Sequence, residues 1–201
     1  MSIFLKARRT KAVTGVLVLT VALVAVLSGM QIPALNILGG GKSYVPVGVL
    51  LPLLGVAGLV SFMTNVPGEL EITAVRPVQW YNAIAISVAA LSVLVIGALL
   101  GVSGLQAHAF AAARNLVGYM GLAMLGQKLV GRHAAILFPV VFAFGTMTAG
   151  RRPGGHPWPW AWPLFESEHV PAALVAVAVF LVGLLVTLSR ARPVRRPRDV
   201  S

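Results

Sequence analysis

Six long apolar runs constrain the fold of this chain more than any other feature. They cover residues 12–32, 46–64, 83–102, 111–130, 134–149 and 170–188 of the 201-residue sequence. Roughly 20 apolar residues in a helix cross the hydrocarbon core of a bilayer. The chain is 58% hydrophobic and only 10% charged, which leaves too little charge to cover a soluble domain. The sequence therefore predicts an all-α polytopic membrane protein, with six transmembrane helices in a single domain over residues 1–201.

The positive charges predict how these spans are oriented, because Lys and Arg accumulate in cytoplasmic loops. With the N-terminus inside, the inner segments hold twelve Lys and Arg residues and the outer segments hold four. Both termini are therefore predicted to be cytoplasmic, in a bacterial inner or plasma membrane. The connection 65–82 is then cytoplasmic and the Trp-rich connection 150–169 is external. The net charge of +11 is explained by these flanking positives, so no nucleic-acid partner is predicted.

A phosphate-binding loop is the first site that the sequence suggests. Residues 39–43 read Gly-Gly-Gly-Lys-Ser, but a P-loop requires a Gly where Asn36 stands. It also requires a strand before the loop and a helix after it, whereas residues 33–45 are predicted to be a plain loop between two spans. We therefore reject nucleotide binding here, and we predict no cofactor in this chain.

Catalytic and metal sites are also not predicted. Cysteine is absent, which excludes disulfides, thiolate metal sites and a cysteine nucleophile. The spans contain no Asp, Glu or His, and no hydrolase or zinc-protease motif is present. None of the four histidines has the spacing of metal ligands; they are His108, His133, His156 and His169. The chain is thus not expected to be an enzyme.

Arg114 is the one charge expected to enter the bilayer, next to Asn115 near the start of the fourth span. The favoured interpretation is that its side chain snorkels to the outer interface. The alternatives are an ion pair with Glu166 or Glu168, or a contact with an anionic substrate or lipid headgroup. Arg114 and Asn115 are on these grounds candidate substrate or gating residues.

Three tryptophans alternate with Pro and Ala in the external connection: Trp158, Trp160 and Trp162. Trp prefers the headgroup level, where its ring meets apolar material while its N–H stays hydrated. The favoured interpretation is therefore an aromatic belt. The alternative is a partly re-entrant external element that closes the top of a translocation path, which makes these tryptophans candidate gating residues.

The main polar island between the apolar runs is the stretch Gly68–Pro77 in the connection 65–82. Residues 69–75 are predicted to form a short helix, with Glu69 and Glu71 in its first turn, where acidic residues favour the positive end of the helix dipole. Arg76 and Pro77 end that helix. A short helix parallel to the membrane is suited to docking into another protein.

This stretch resembles the segment after the second span of type-2 ABC exporter permeases. Those proteins carry a Gly-Thr-Leu-Glu motif with a Pro six residues after the Glu. Gly68, Leu70, Glu71 and Pro77 match at that spacing, while Glu69 stands in place of the Thr. The layout is also similar, with six spans, a cytoplasmic element after the second, and an external element between the fifth and sixth.

The resemblance implies an ATP-driven exporter with two membrane subunits, identical or related, and two separate ABC ATP-binding subunits. ATP and Mg²⁺ are then bound by the ATPase partner and not by this chain. Gly68, Glu69, Leu70, Glu71, Arg76 and Pro77 are the implied coupling residues. Two other classes stay open: a non-transporting membrane scaffold or immunity protein, and a secondary carrier. The absence of an ionisable acid or His in the spans argues against the carrier.

Overall fold

The computed structural model of the chain describes residues 19–20, 23, 27, 30–37, 41–64, 78–104, 108–131 and 133–189. The described elements are the strands β1 (Gln31–Asn36) and β2 (Gly41–Pro46), the helices α1 (Pro52–Thr64), α2 (Val78–Val102), α3 (Ala109–Leu129), α4 (Ala134–Ala149) and α5 (Val170–Ser189), and two short 3-10 helices, Val47–Val49 and Trp162–Leu164. The protein is thus mostly helical, as the sequence predicts. Most of the predicted first span, and the whole of Gly68–Pro77, lie outside the described residues.

The helix bounds follow the apolar runs closely. Helix α4 begins at Ala134 and ends at Ala149, as the fifth run does. Helix α5 extends the sixth run by one residue, to Ser189. Helix α2 begins five residues before the third run, so that Trp80 lies in its first turn. Apolar length alone was therefore sufficient to find these helices.

A β-hairpin replaces the loop that the sequence predicted over residues 33–45. Strands β1 and β2 pair antiparallel, with Gln31 opposite Pro46 and Ile32 opposite Val45. The first run therefore stops being helical before residue 32, and the second begins in a strand. The pairing satisfies backbone N–H and C=O groups that would otherwise need water or a side chain. Pro33 is tolerated because both strands of a two-stranded sheet are edge strands.

Helix α3 is the centre of the bundle. Fourteen of its 21 residues are buried, and it packs against α1, α2, α4 and α5. Tyr119, in its middle, is fully buried, and its hydroxyl donates to the Val49 carbonyl at 3.1 Å. That bond ties α3 to the 3-10 helix that precedes α1. Because α3 meets every other described helix, its position sets theirs.

Helices α3 and α5 approach each other closely at two glycines. A Cβ atom on Gly121 would lie 2.6 Å from both the Phe180 Cα and the Val179 carbonyl oxygen. A Cβ on Gly183 would lie 2.6 Å from the Gly121 carbonyl oxygen. Small residues allow such backbone contact, which is a common way for helices to associate in membranes.

Two described helical segments are long and apolar enough to cross a membrane: Ala83–Val102 in α2 and Val170–Ser189, which is α5. Only 28% of the first window and 22% of the second are buried in the protein. Their apolar side chains therefore face outward, unlike those of a core helix in a soluble protein, and the two helices indicate a membrane location. Helix α4 is apolar but shorter, and the six-span arrangement stays a prediction.

The glycine crossing generates a test of the packing. We expect Gly121→Ala to destabilise the protein by about 1–3 kcal/mol, because the new methyl overlaps the backbone of α5. Unfolding of the purified protein in a mild detergent, followed by circular dichroism during denaturant titration, measures the change. Gly145→Ala in α4 is the matched control, since a Cβ there meets no atom within 4 Å. Equal stability of the two variants would contradict the close crossing.

Candidate functional site

The hairpin, the start of α3 and the Trp-rich connection 150–169 meet at one end of the bundle, which we call the hairpin end. The Ile37 N–H donates to the Thr148 carbonyl at 2.9 Å, which joins the hairpin to the last turn of α4. The Arg151 guanidinium donates to the Tyr44 carbonyl at 3.4 Å, which joins the hairpin to the connection. Three segments that are distant in sequence are thereby brought to one surface.

Arg114 lies below this surface and is fully buried. Its Nη1 donates to the Glu166 carbonyl at 3.1 Å, and its Nη2 donates to the carbonyls of Trp162 at 3.2 Å and Phe165 at 2.8 Å. All three acceptors belong to one short stretch of the Trp-rich connection. A planar guanidinium with several N–H groups suits such a fan of carbonyls better than any other side chain.

This geometry differs from two interpretations of the sequence, namely snorkelling to the outer interface and an ion pair with Glu166 or Glu168. Arg114 does not snorkel, because its side chain has no exposed surface. It does not pair with the carboxylate of Glu166 or Glu168 either; it binds the backbone carbonyl of Glu166. In the part of the chain that the structure describes, its positive charge is balanced by peptide dipoles and by Asn115, whose Oδ1 lies 3.5 Å from Nε.

Asn115 reinforces the same contact. The side chain is almost fully buried, and its Nδ2 donates to the Pro163 carbonyl at 3.2 Å. Arg114 and Asn115, adjacent in α3, therefore bind four carbonyls between residues 162 and 166. The structure brings the two predicted residues together, and it gives them a shared role in holding the connection.

The three tryptophans have three different environments. Trp162 is 3% exposed and stacks on Phe142, with ring centroids 4.3 Å apart. Trp160 is 44% exposed and meets Phe142 edge-on, and Trp158 lies under the Arg152 guanidinium at 4.3 Å. Trp160 alone has the exposure of a membrane-belt residue. The stretch around Trp162 dips into the bundle.

Gly118 makes room for the buried indole. A Cβ on Gly118 would lie 3.0 Å from the Trp162 Nε1 atom. The Nε1 atom is itself buried and has no hydrogen-bond partner among the described residues. Trp162 is therefore held by shape and stacking, while the carbonyls of its own segment are held by Arg114. The re-entrant interpretation fits this geometry; whether the segment closes a translocation path stays a prediction.

A polar cleft of about 790 Å³ opens above Arg114 at the hairpin end. Its polar lining comes from five separate segments and consists of Gln31, Tyr44, His108, Asn115, Arg151, His156, Glu166, Glu168 and His169. Sequence reasoning identified only Asn115 among these as a candidate site residue. Among the described residues, no group of three His, Asp or Glu side chains could hold a metal ion.

The predicted coupling residues lie outside the described part of the chain, whereas part of the rejected phosphate loop lies within it. Gly68, Glu69, Leu70, Glu71, Arg76 and Pro77 lie outside the described residues, as does the short helix predicted over 69–75. The Gly-Lys-Ser sequence at residues 41–43 forms the start of strand β2. It is extended chain in a hairpin, and not a turn that opens a helix.

Comparisons with protein-family models, with curated proteins and with solved structures find no match to this chain.

Replacing Arg114 tests whether it holds the connection. Arg114→Met leaves three carbonyls without their donor, so we expect a loss of about 2–4 kcal/mol and faster amide hydrogen exchange over residues 161–167. Arg152→Met is the control, because that side chain is exposed and lies over Trp158. Unchanged exchange in Arg114→Met would show that the carbonyls do not depend on the guanidinium.

The tryptophan environments give a second, separable test. Trp162→Ala is expected to cost about 3–5 kcal/mol, because it leaves a cavity between Gly118 and Phe142. Trp160→Ala is expected to cost under about 1 kcal/mol, since much of that ring is already exposed. Denaturant unfolding measures both. A larger loss of stability in Trp160→Ala than in Trp162→Ala would show that Trp162 is not the buried ring.

Proposed function

We propose that this chain is the membrane subunit of an ATP-driven exporter of the type-2 ABC class. The observation that carries the proposal is the polar stretch Gly68–Pro77 and its place in the chain. It falls between the end of α1 at Thr64 and the start of α2 at Val78. Its Gly, Leu, Glu and Pro residues match the spacing of the coupling motif in that class.

The exposed surface of the helices supports a membrane role. Large apolar side chains point outward along α2, among them Ile84, Leu91 and Leu99, and along α5, among them Leu174 and Leu185. Water would penalise such continuous apolar faces, whereas lipid tails or a second membrane subunit would cover them. A bundle of this kind can form half of a translocation path between two such subunits.

The topology of the described helices supports the location of the two polar elements. The connection after α2, which leads into α3, lies at the hairpin end, as the Trp-rich connection does. Because successive helices cross the bundle, the end of α1 and the start of α2 lie at the opposite end. With the termini inside, Gly68–Pro77 faces the cytoplasm, where an ATPase subunit can reach it, and the Trp-rich connection faces outward.

The energy source then lies in another chain. No Asp or Glu is present in the described helices, so a proton or cation gradient has no carboxylate to act on there. An ATPase that closes around ATP and Mg²⁺ would push on the 68–77 element, and α1 and α2 would carry that displacement into the bundle.

The coupling residue Glu71 provides the test. We expect Glu71→Ala to weaken association with the ATP-binding subunit about tenfold, because an interfacial ion pair is lost. Co-purification with an ATP-binding protein encoded beside this chain, and the ATP turnover of the complex, are the measurements. Asp199→Ala, which removes a carboxylate from the C-terminal tail, is the control.

The outcomes separate the competing functions. Equal co-purification and ATP turnover in the Glu71→Ala and wild-type complexes would overturn the coupling role. Transport that continues without any ATPase and follows an ion gradient would identify a secondary carrier. A stable membrane complex with neither ATP turnover nor transport would identify a scaffold.

A further inference from the structure

The cleft at the hairpin end has the size of a ligand site. Its volume of about 790 Å³ lies within the range of about 300–1,000 Å³ that is typical of small-molecule pockets. It is bounded below by Asn115 on α3 and at its sides by the hairpin and the Trp-rich connection. Within the described part of the chain, no side chain fills it.

Two of the principal hydrogen-bond donors in the cleft are already used. Arg151 donates from Nη1 to the Gly155 carbonyl at 3.2 Å and from Nη2 to the Tyr44 carbonyl at 3.4 Å. Its Nε is buried and cannot meet a ligand. Asn115 donates to the Pro163 carbonyl. These side chains therefore hold the walls of the cleft together through backbone carbonyls.

The acceptors, by contrast, are free. Glu166 and Glu168 both line the cleft, and both residues are exposed. Within the described part of the chain, neither carboxylate takes part in an ion pair or a side-chain hydrogen bond. They are also the two acidic residues that the structure describes, in a chain of net charge +11. An unpaired carboxylate in a concave site is complementary to a protonated amine.

The rest of the lining is apolar. Phe165 is partly exposed and contributes hydrophobic surface to the cleft, and Leu164 is buried in the core beside it. A pocket with an apolar wall and a few polar groups orients a ligand by its polar end while it buries the apolar body. A cleft with carboxylates and an apolar wall favours a molecule that has both a cationic end and an apolar body.

We propose that this cleft binds amphiphiles that carry a protonated amine, with the ammonium group at Glu166 and Glu168 and the apolar body against Phe165. The assignment rests on the proposed function where it names a substrate class: amine-bearing amphiphiles would be the molecules that leave through the hairpin end. The binding site itself requires only this chain.

The test uses the full-length chain, purified in an uncharged detergent without any ATPase. The probe is dansylcadaverine, which joins an aromatic dansyl group to a primary amine. Its N-acetylated form is the matched neutral probe. At pH 8 the primary amine of the probe is protonated. Dansyl fluorescence and its anisotropy report saturable binding.

We expect the amine probe to bind at least about tenfold more tightly than the acetylated probe, since only the amine forms charge-assisted hydrogen bonds. Glu166→Gln with Glu168→Gln should weaken the amine probe by about tenfold or more and leave the neutral probe unchanged. Asp199→Asn removes a carboxylate elsewhere in the sequence and should change the affinity for neither probe. A thermal melt of each variant confirms that it is folded.

Equal affinity for the two probes, or full affinity of a folded Glu166→Gln, Glu168→Gln variant for the amine, would overturn the proposal. These results are independent of ATP coupling. Amine binding without association to an ATPase would leave the cleft assignment standing and remove the exporter. Association with an ATPase and ATP turnover without amine binding would support the exporter and overturn the cleft assignment.

Discussion

The contact between the Arg114 guanidinium and three backbone carbonyls determines much of this structure. A buried cation and a buried stretch of irregular chain are each costly, because the cation loses water and the carbonyls lose donors. Here each removes the cost of the other: the guanidinium supplies N–H groups to Trp162, Phe165 and Glu166, and their dipoles surround its charge. Non-helical chain can therefore enter the bundle at this place without leaving these three backbone carbonyls unpaired.

One stripe of α3 extends that contact along the helix. Arg114, Gly118 and Gly121 are spaced at i, i+4 and i+7, so they lie along the same side of the helix. Arg114 binds the carbonyls of the Trp-rich connection, Gly118 accepts the Trp162 indole, and Gly121 accepts the backbone of α5. Along this stripe, α3 has a long polar side chain at Arg114 and no side chain at Gly118 and Gly121. The neighbouring group is a set of carbonyls at Arg114, an indole ring at Gly118 and a helix backbone at Gly121.

The sequence predicted the helices well and the contacts poorly, for physical reasons. A helix such as α4 needs only apolar length, which is visible in any window of the sequence. The partner of Arg114 was sought among charged side chains, and Glu166 was named, but the actual acceptor is a backbone carbonyl, which every residue carries. The hairpin was missed because Gln31 to Pro46 has no strict alternation of apolar and polar residues, and because four residues, and not two, separate its strands. The cleft was missed because Tyr44, His108 and Glu168 meet only through the tertiary fold.

The packing also determines how a push on Gly68–Pro77 would reach the hairpin end under the proposed function. Helices α1 and α2 flank that stretch, and both pack on α3. The backbones of α3 and α5 are in close contact at Gly121 and Gly183, and Arg114 of α3 binds the connection that leads into α5. Under the proposed function we expect α3, α5 and this connection to move together. Under the proposed function, a movement of α1 relative to α3 would change the shape of the cleft, because its hairpin wall precedes α1 whereas Glu166 and Glu168 belong to the connection that Arg114 of α3 holds.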